Sequence, residues 1–190
     1  MYINFWYPVC LTKELEDKPV KATILGLDFV AFRDSKGKAH CLSDVCCHRG
    51  GSLAGGLCHS EDDTIACPYH GWRFNGSGKC TQIPSLGPGS KIPARAKVDS
   101  YPVKEKYGIV FAFLGDLSEE ERSPLYEIKE FEAEGWRANK TVIIDINYNY
   151  ERSIENGLDP AHNEFIHPTH GFEGTKNDYK VNPTQITDHE

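Results

Sequence analysis

The chain has 190 residues, of which 39% are apolar, and a formal charge of −7. That length and composition suit one globular domain or two small ones with a packed core. The charge gives no basic footprint for nucleic acid or for an anionic membrane surface, and no apolar run approaches a membrane span. The N-terminal Met1-Tyr2-Ile3-Asn4-Phe5-Trp6 lacks the basic and apolar blocks of a signal segment. Seven cysteines are an odd count for a disulfide framework. Cys10, Cys41, Cys47, Cys58 and Cys80 are therefore expected as reduced thiols in a cytosolic, reducing compartment.

Residues 5 to 43 read as β-structure. Phe5-Trp6-Tyr7-Pro8-Val9 is aromatic and apolar, and Val20 to Leu25 and Phe29 to Phe32 flank a tight connection at Gly26-Leu27-Asp28. Asp34-Ser35-Lys36-Gly37 turns the chain into Ala39 to Leu42. Thr64-Ile65-Ala66 is a short strand. Trp72-Arg73-Phe74, the turn Asn75-Gly76-Ser77-Gly78 and Cys80 to Ile83 form a hairpin. Residues 84 to 100, rich in Pro, Gly and Ser, mark a surface loop before strands at Tyr101 to Lys106 and Gly108 to Leu114. Gly115 to Glu134 is charged and reads as a solvated linker, with a short acidic helix as the alternative. Thr141-Val142-Ile143-Ile144-Asp145-Ile146 is strand-like, and Tyr148 to Phe165 reads as helical with an interruption at Pro160.

Between the first and second groups of strands stand Cys46-Cys47-His48-Arg49-Gly50 and Cys67-Pro68-Tyr69-His70-Gly71-Trp72, with 18 residues separating His48 from Cys67. Two loops that each offer one thiolate and one imidazole can close on a [2Fe–2S] cluster, the two thiolates on one iron and the two imidazoles on the other. Zinc is the rival, because Cys₂His₂ is also a tetrahedral zinc set. Zinc fingers, however, pair Cys with Cys and His with His, whereas each loop here supplies one of each. Unconnected Cys and His in separate loops are the third reading. Gly50-Gly51 and Gly55-Gly56 allow the backbone to wrap closely.

A second constellation lies in Glu155-Asn156-Gly157-Leu158-Asp159-Pro160-Ala161-His162-Asn163-Glu164-Phe165-Ile166-His167-Pro168. Helical spacing puts Glu155, Asp159 and His162 on one face, while His167 would point elsewhere on a regular helix. Both imidazoles can meet one metal only if the helix distorts or ends between them. Two imidazoles and a carboxylate with open positions make a ferrous, oxygen-activating site. A polar helix end with two surface histidines is the alternative.

C-x-H-R-G followed by C-P-Y-H-G-W resembles the cluster signature of Rieske-type non-haem iron oxygenases. Respiratory-chain Rieske proteins carry an extra cysteine in each loop and form a disulfide there. Gly51 and Tyr69 occupy those positions here, which excludes that bond. N-x-x-D-x-x-H-x-x-x-x-H resembles the iron-binding region of the same enzymes' catalytic domains. The resemblance implies that Cys46, His48, Cys67 and His70 hold the cluster, and that His162 and His167 hold a mononuclear Fe(II). It makes Asp159 the electron bridge, with Asn156 beside the site. Glu155 matches loosely, and His170 corresponds to no motif position. The family's third iron ligand is a carboxylate far downstream. Asp178, Asp188 and Glu190 are available, none in a recognised context.

The implied fold is α+β: an antiparallel β domain over 1–117, a linker over 118–135, and over 136–190 the start of a catalytic domain, cut before its third ligand. The implied function is hydroxylation or dealkylation of a small organic substrate, with aromatic compounds among the candidates, using O₂. Electrons would come from NAD(P)H through a separate reductase, sometimes with a ferredoxin, in a ring-shaped homo-oligomer such as a trimer. A Rieske electron carrier without oxygenase activity is the alternative function, and a zinc-stabilised binding module the third.

Overall fold

The computed structural model describes residues 3–16, 18–139 and 143–167. Among them, eleven strands make three antiparallel sheets. The first sheet has the order β1 (Phe5–Leu11), β11 (Ile109–Leu114), β10 (Val103–Lys106). The second runs β2 (Val20–Ile24), β3 (Leu27–Arg33), β4 (Ala39–Ser43), β9 (Ser100–Tyr101). The third runs β5 (Leu57–His59), β6 (Thr64–Ala66), β7 (Arg73–Asn75), β8 (Cys80–Gln82). No described helix is long and apolar enough to cross a membrane.

β3 explains how the sheets share a core. Its Phe29-Val30-Ala31-Phe32 is buried throughout, because successive side chains point to opposite faces of the strand and both faces are covered. Val30 and Phe32 join Leu42, Leu53, Ile65 and Phe74 in the largest apolar cluster, which also takes in Cys46 and Cys67. Phe29 and Ala31 face the opposite way, toward Cys41 and Ala112 and toward Leu15 and Val110. Arg33 at the end of the same strand ties the second sheet to the first. Its guanidinium grips both Glu105 oxygens at 2.8 and 2.9 Å, while Nε donates to the Leu15 carbonyl.

The hairpin β2–β3 pairs Ile24 with Leu27, so its two-residue turn is Leu25-Gly26, one residue earlier than the expected Gly26-Leu27-Asp28. Leu25 and Gly26 have φ of 53° and 77°, the doubly left-handed turn that matches strand twist. Tyr107 and Gly108, with φ of 59° and 74°, repeat it between β10 and β11.

The chain divides into two compact units, the first ending at Ala138 and the second beginning at Asn139. The acidic segment after β11 belongs to the first unit and is fastened to it. Trp6 Nε1 donates to the Ser123 carbonyl at 2.8 Å, and Tyr107 Oη donates to the Tyr126 carbonyl and accepts from the Ile128 N–H. The Tyr107 ring meets Phe131 edge-on, and Lys106 pairs with Glu127.

In the second unit the strand expected over 141–146 is absent from its described part. Ile143, Ile144 and Ile146 are exposed and unpaired in any sheet. A strand needs a neighbour to take its backbone groups, and none of the described strands supplies one. Thr141, Val142, Pro168, His170, Asp178, Asp188 and Glu190 lie outside the described residues. The helical expectation fares better: α1 (Tyr150–Leu158) is capped by the Asn149 side chain, a tight turn covers Pro160–His162, and α2 (Asn163–Ile166) follows.

Candidate metal centres

β4 and β6 each end by delivering a cysteine. In the first loop the Cys46 N–H donates to the Gly51 carbonyl at 2.9 Å, and the Gly50 N–H donates back to the Cys46 carbonyl at 2.8 Å. In the second, the Cys67 N–H donates to Trp72 at 2.8 Å and the Gly71 N–H to Cys67 at 2.9 Å. These are the same six-residue hoop, made twice. Gly50 and Gly71, the fifth residue of each, share a φ of 72°, a conformation costly for any side chain. The hoops differ in where the histidine falls, two residues after Cys46 but three after Cys67.

The hoops bring the four expected ligands together. Cys46 and Cys67 are each 2% exposed and belong to the same buried apolar cluster. The His48 and His70 rings meet edge-to-face with centroids 4.5 Å apart, on the exposed side. Sulfur donors thus lie in the core and nitrogen donors at the surface. Burial, with the neighbouring Cys67, pushes the Cys46 thiol up to about 12, although the His48 N–H hydrogen-bonded to it pulls the other way. A coordinated metal overrides such a shift, since it removes the thiol proton outright. Desolvation, the His70 ring and Arg49 hold the His48 imidazole below its usual value, which favours the neutral form that ligates.

Among the described residues no three His, Cys, Asp or Glu converge on a single-ion position. The donors stand instead as a thiol pair and an imidazole pair, which fits a two-iron, two-sulfide group. Cys47, between Cys46 and His48, is exposed.

Two supporting residues went unassigned in the sequence. Asp44, 2% exposed, accepts from Ser52 Oγ at 2.6 Å and from the Ala54 N–H at 2.7 Å, and so closes the first loop from beneath. Trp72 stacks on His48 with centroids 4.4 Å apart and planes 5° from parallel. Its presence in the motif was the only available signal.

In the second unit α1 ends at Leu158, ahead of both imidazoles, and between them α2 ends at Ile166, which leaves His167 extended (φ −102°, ψ 107°). Asp159 is extended (φ −101°, ψ 93°) and caps the following turn by accepting from the Ala161 N–H at 3.0 Å. This corrects the expectation that Glu155, Asp159 and His162 share one helical face: a cap residue leaves the helix to reach a backbone donor. His162 Nδ1 lies 2.6 Å from the Asp159 carbonyl. As donor to that oxygen, Nδ1 carries the proton and Nε2 presents its lone pair. His162 and His167 bracket α2, their ring centroids 5.3 Å apart. Asn156 lies within α1. The imidazole pair fits part of a ferrous donor set, and no described carboxylate converges with it.

Residues 5–102 match the Rieske [2Fe–2S] domain, and the chain belongs to that family. Its relatives are Rieske oxygenases, among them the alpha subunit of phenoxybenzoate dioxygenase from Ectopseudomonas oleovorans, 34% identical over 95% of this chain and 46% of that protein. The chloroplast protein TIC 55 of Arabidopsis thaliana is 32% identical over 96% of this chain and 34% of its own length. Among solved structures, a Pseudomonas putida NdmA mutant with theobromine superposes with a TM-score of 0.69 at 31% identity, covering 90% of this chain and 51% of that one. The chain therefore spans about a third to a half of the length of these relatives.

Proposed function

We propose that this chain carries the cluster domain and the two-histidine part of the iron site of a Rieske oxygenase subunit. Its substrate would be a small organic molecule oxidised with O₂, and its electrons would come from a separate reductase. The observation that carries the reading beyond an electron carrier is the His162–His167 pair, its rings 5.3 Å apart on either side of α2, with the His162 tautomer set by a backbone carbonyl. When bound, the cluster supplies one-electron storage and the ferrous ion supplies oxygen activation. Cys46 and Cys67 hold the buried end, and His48 and His70 the exposed end. His162 and His167 hold the second metal. Asp159 orients His162 through its carbonyl and caps Ala161 with one carboxylate oxygen, and its other carboxylate oxygen serves the electron bridge.

Metal analysis tests both halves. Anaerobically purified chain should contain about two irons and two sulfides per cluster, lost in Cys46→Ser and Cys67→Ser; zinc in their place would end the cluster reading. Added Fe(II) should bind weakly at the second site, and His162→Ala or His167→Ala should abolish that binding with cluster content unchanged. Fe(II) binding indifferent to both substitutions would leave an electron carrier. In the complete oligomeric enzyme, Asp159→Asn keeps the cap, because Asn caps as well as Asp, but removes the charge. Substrate oxidation should slow sharply while reduction of the cluster stays normal. A wild-type rate would take Asp159 out of the electron path.

A further inference from the structure

The sixth position of each hoop closes it through a backbone carbonyl, yet the two residues there could hardly differ more. In the second hoop it is Trp72, whose side chain crosses to the first hoop and lies flat on His48, 4.4 Å away and within 5° of parallel. In the first hoop it is Gly51. A Cβ there would lie 3.1 Å from Cys67 Sγ and 3.4 Å from Tyr69 Cβ, so a large side chain would have to displace the second hoop. The crossing runs one way. His48 is covered by an indole packed against the main apolar cluster. His70 has at 4.0 Å the ring of Tyr69, tilted by 34° and itself 63% exposed.

From this asymmetry we propose that Trp72 is the positioning residue for His48. Its ring fixes the plane of that imidazole and screens one face of the nitrogen-ligated iron from water. The inference rests on the cluster reading of the two loops. A flat ring against a flat ring resists rotation about the imidazole's last side-chain torsion, so the angle at which His48 meets the metal is set by the packing of Trp72. The electrostatics have a definite sign. Two ferric ions, two sulfides and two thiolates are formally neutral, and one electron makes the group anionic. Water stabilises the anionic form, and the negative face of the indole opposes added negative charge nearby. Both effects make Trp72 hold the reduction potential down.

The test compares Trp72→Phe, which keeps a flat ring, with Trp72→Leu, which keeps apolar volume without one. Iron and sulfide content, midpoint potential by dithionite titration, and the two histidine nitrogen couplings in pulsed EPR of the reduced protein would be measured. Trp72→Leu should keep its iron and sulfide, titrate at a higher potential than wild type, and change one nitrogen coupling while leaving the other. Trp72→Phe should remain close to wild type in all three. Should the Leu variant fail to hold iron, Trp72→Met carries the same expectation. An unchanged potential with both couplings unchanged in the Leu or Met variant would overturn the proposal, as would a Phe variant that departs as far. Wild-type protein without iron and sulfide would instead overturn the cluster reading itself.

Discussion

Asp44 shows what a single buried carboxylate does for a cluster loop. Two residues before Cys46, it gathers a hydroxyl and a backbone N–H from the far side of the same loop. Its ion pair with Lys21 at 3.6 Å involves a lysine side chain 47% exposed. The hydrogen bonds should therefore dominate. Asp44→Ala removes the acceptor of the Ala54 N–H and should cost about 1–3 kcal/mol, whereas Lys21→Ala, at an exposed side chain, should cost less. Denaturant unfolding and the rate of iron loss would show both. Equal effects of the two substitutions would mean that the charge pair matters more than the latch. At this scale the two cysteines and two histidines that the hoops bring together were legible, because their spacing and residue types are specific. Asp44 was not: an acidic residue after a strand looks like an ordinary turn until the loop folds back to present Ser52 and Ala54. Asp159 was legible in identity but not in conduct, since cap geometry turned its carboxylate to Ala161 and its carbonyl to His162.

Among the elements, the two left-handed hairpin turns look alike but should respond differently to substitution. Leu25 has φ 53°, where a branched side chain costs roughly 1–2 kcal/mol and Asn is tolerated. Leu25→Asn should stabilise the protein by about 1 kcal/mol in thermal or denaturant unfolding. Tyr107 sits in the same conformation, but its ring and hydroxyl hold the 118–138 segment through Phe131, Tyr126 and Ile128. Tyr107→Asn should therefore be destabilising, with faster amide exchange confined to that segment. The Arg33–Glu105 fork adds a pH dependence. Hydrogen bonding to Arg33 holds the Glu105 carboxyl below its usual value, so its contribution is complete above about pH 4.3, the unperturbed value, and is lost as pH falls through the folded one. Glu105→Gln should flatten that part of the acid-stability curve and leave the neutral region little steeper. The strands with long apolar or alternating runs were readable in the sequence. β5, three residues beside paired glycines, was not, nor was the attachment of the acidic segment, whose charges gave no hint of the backbone groups that dock it.

For the molecule as a whole, the division after Ala138 implies that the cluster domain is self-sufficient. Its cores, both hoops and the 118–138 segment lie within the first unit. A chain ending at Ala138 should fold cooperatively and take up the same iron and sulfide as the 190-residue chain, with the same visible spectrum. Loss of the cluster on that truncation would show that the second unit contributes to holding it. The second unit presents the opposite balance, with Ile144, Leu158 and Ile166 each about 70–80% exposed. Burial of such side chains, worth roughly 1.5–3 kcal/mol each, is not achieved among the described residues. The histidine spacing of this unit was easier to read than its architecture, because spacing along a helix is local and the packing that stabilises a helix is not.

Where the hoops touch, Gly51 and Tyr69 place their β-positions 3.4 Å apart, at the short edge of the range a cystine bridges. The chain thus has the geometry for a covalent strap but leaves its unfolded state the full entropy of an open loop. Closing a loop of this size would remove about 3 kcal/mol of that entropy. Gly51→Cys/Tyr69→Cys, oxidised, should unfold at higher denaturant than its reduced form if Cys67 Sγ can give way by a few tenths of an ångström. Without the strap, ring stacking between His48 and Trp72 is what holds the hoops in register before the cluster is bound. Their separation is then one of the softer coordinates of the cluster-free domain, and one that temperature or denaturant should loosen before the sheets beneath.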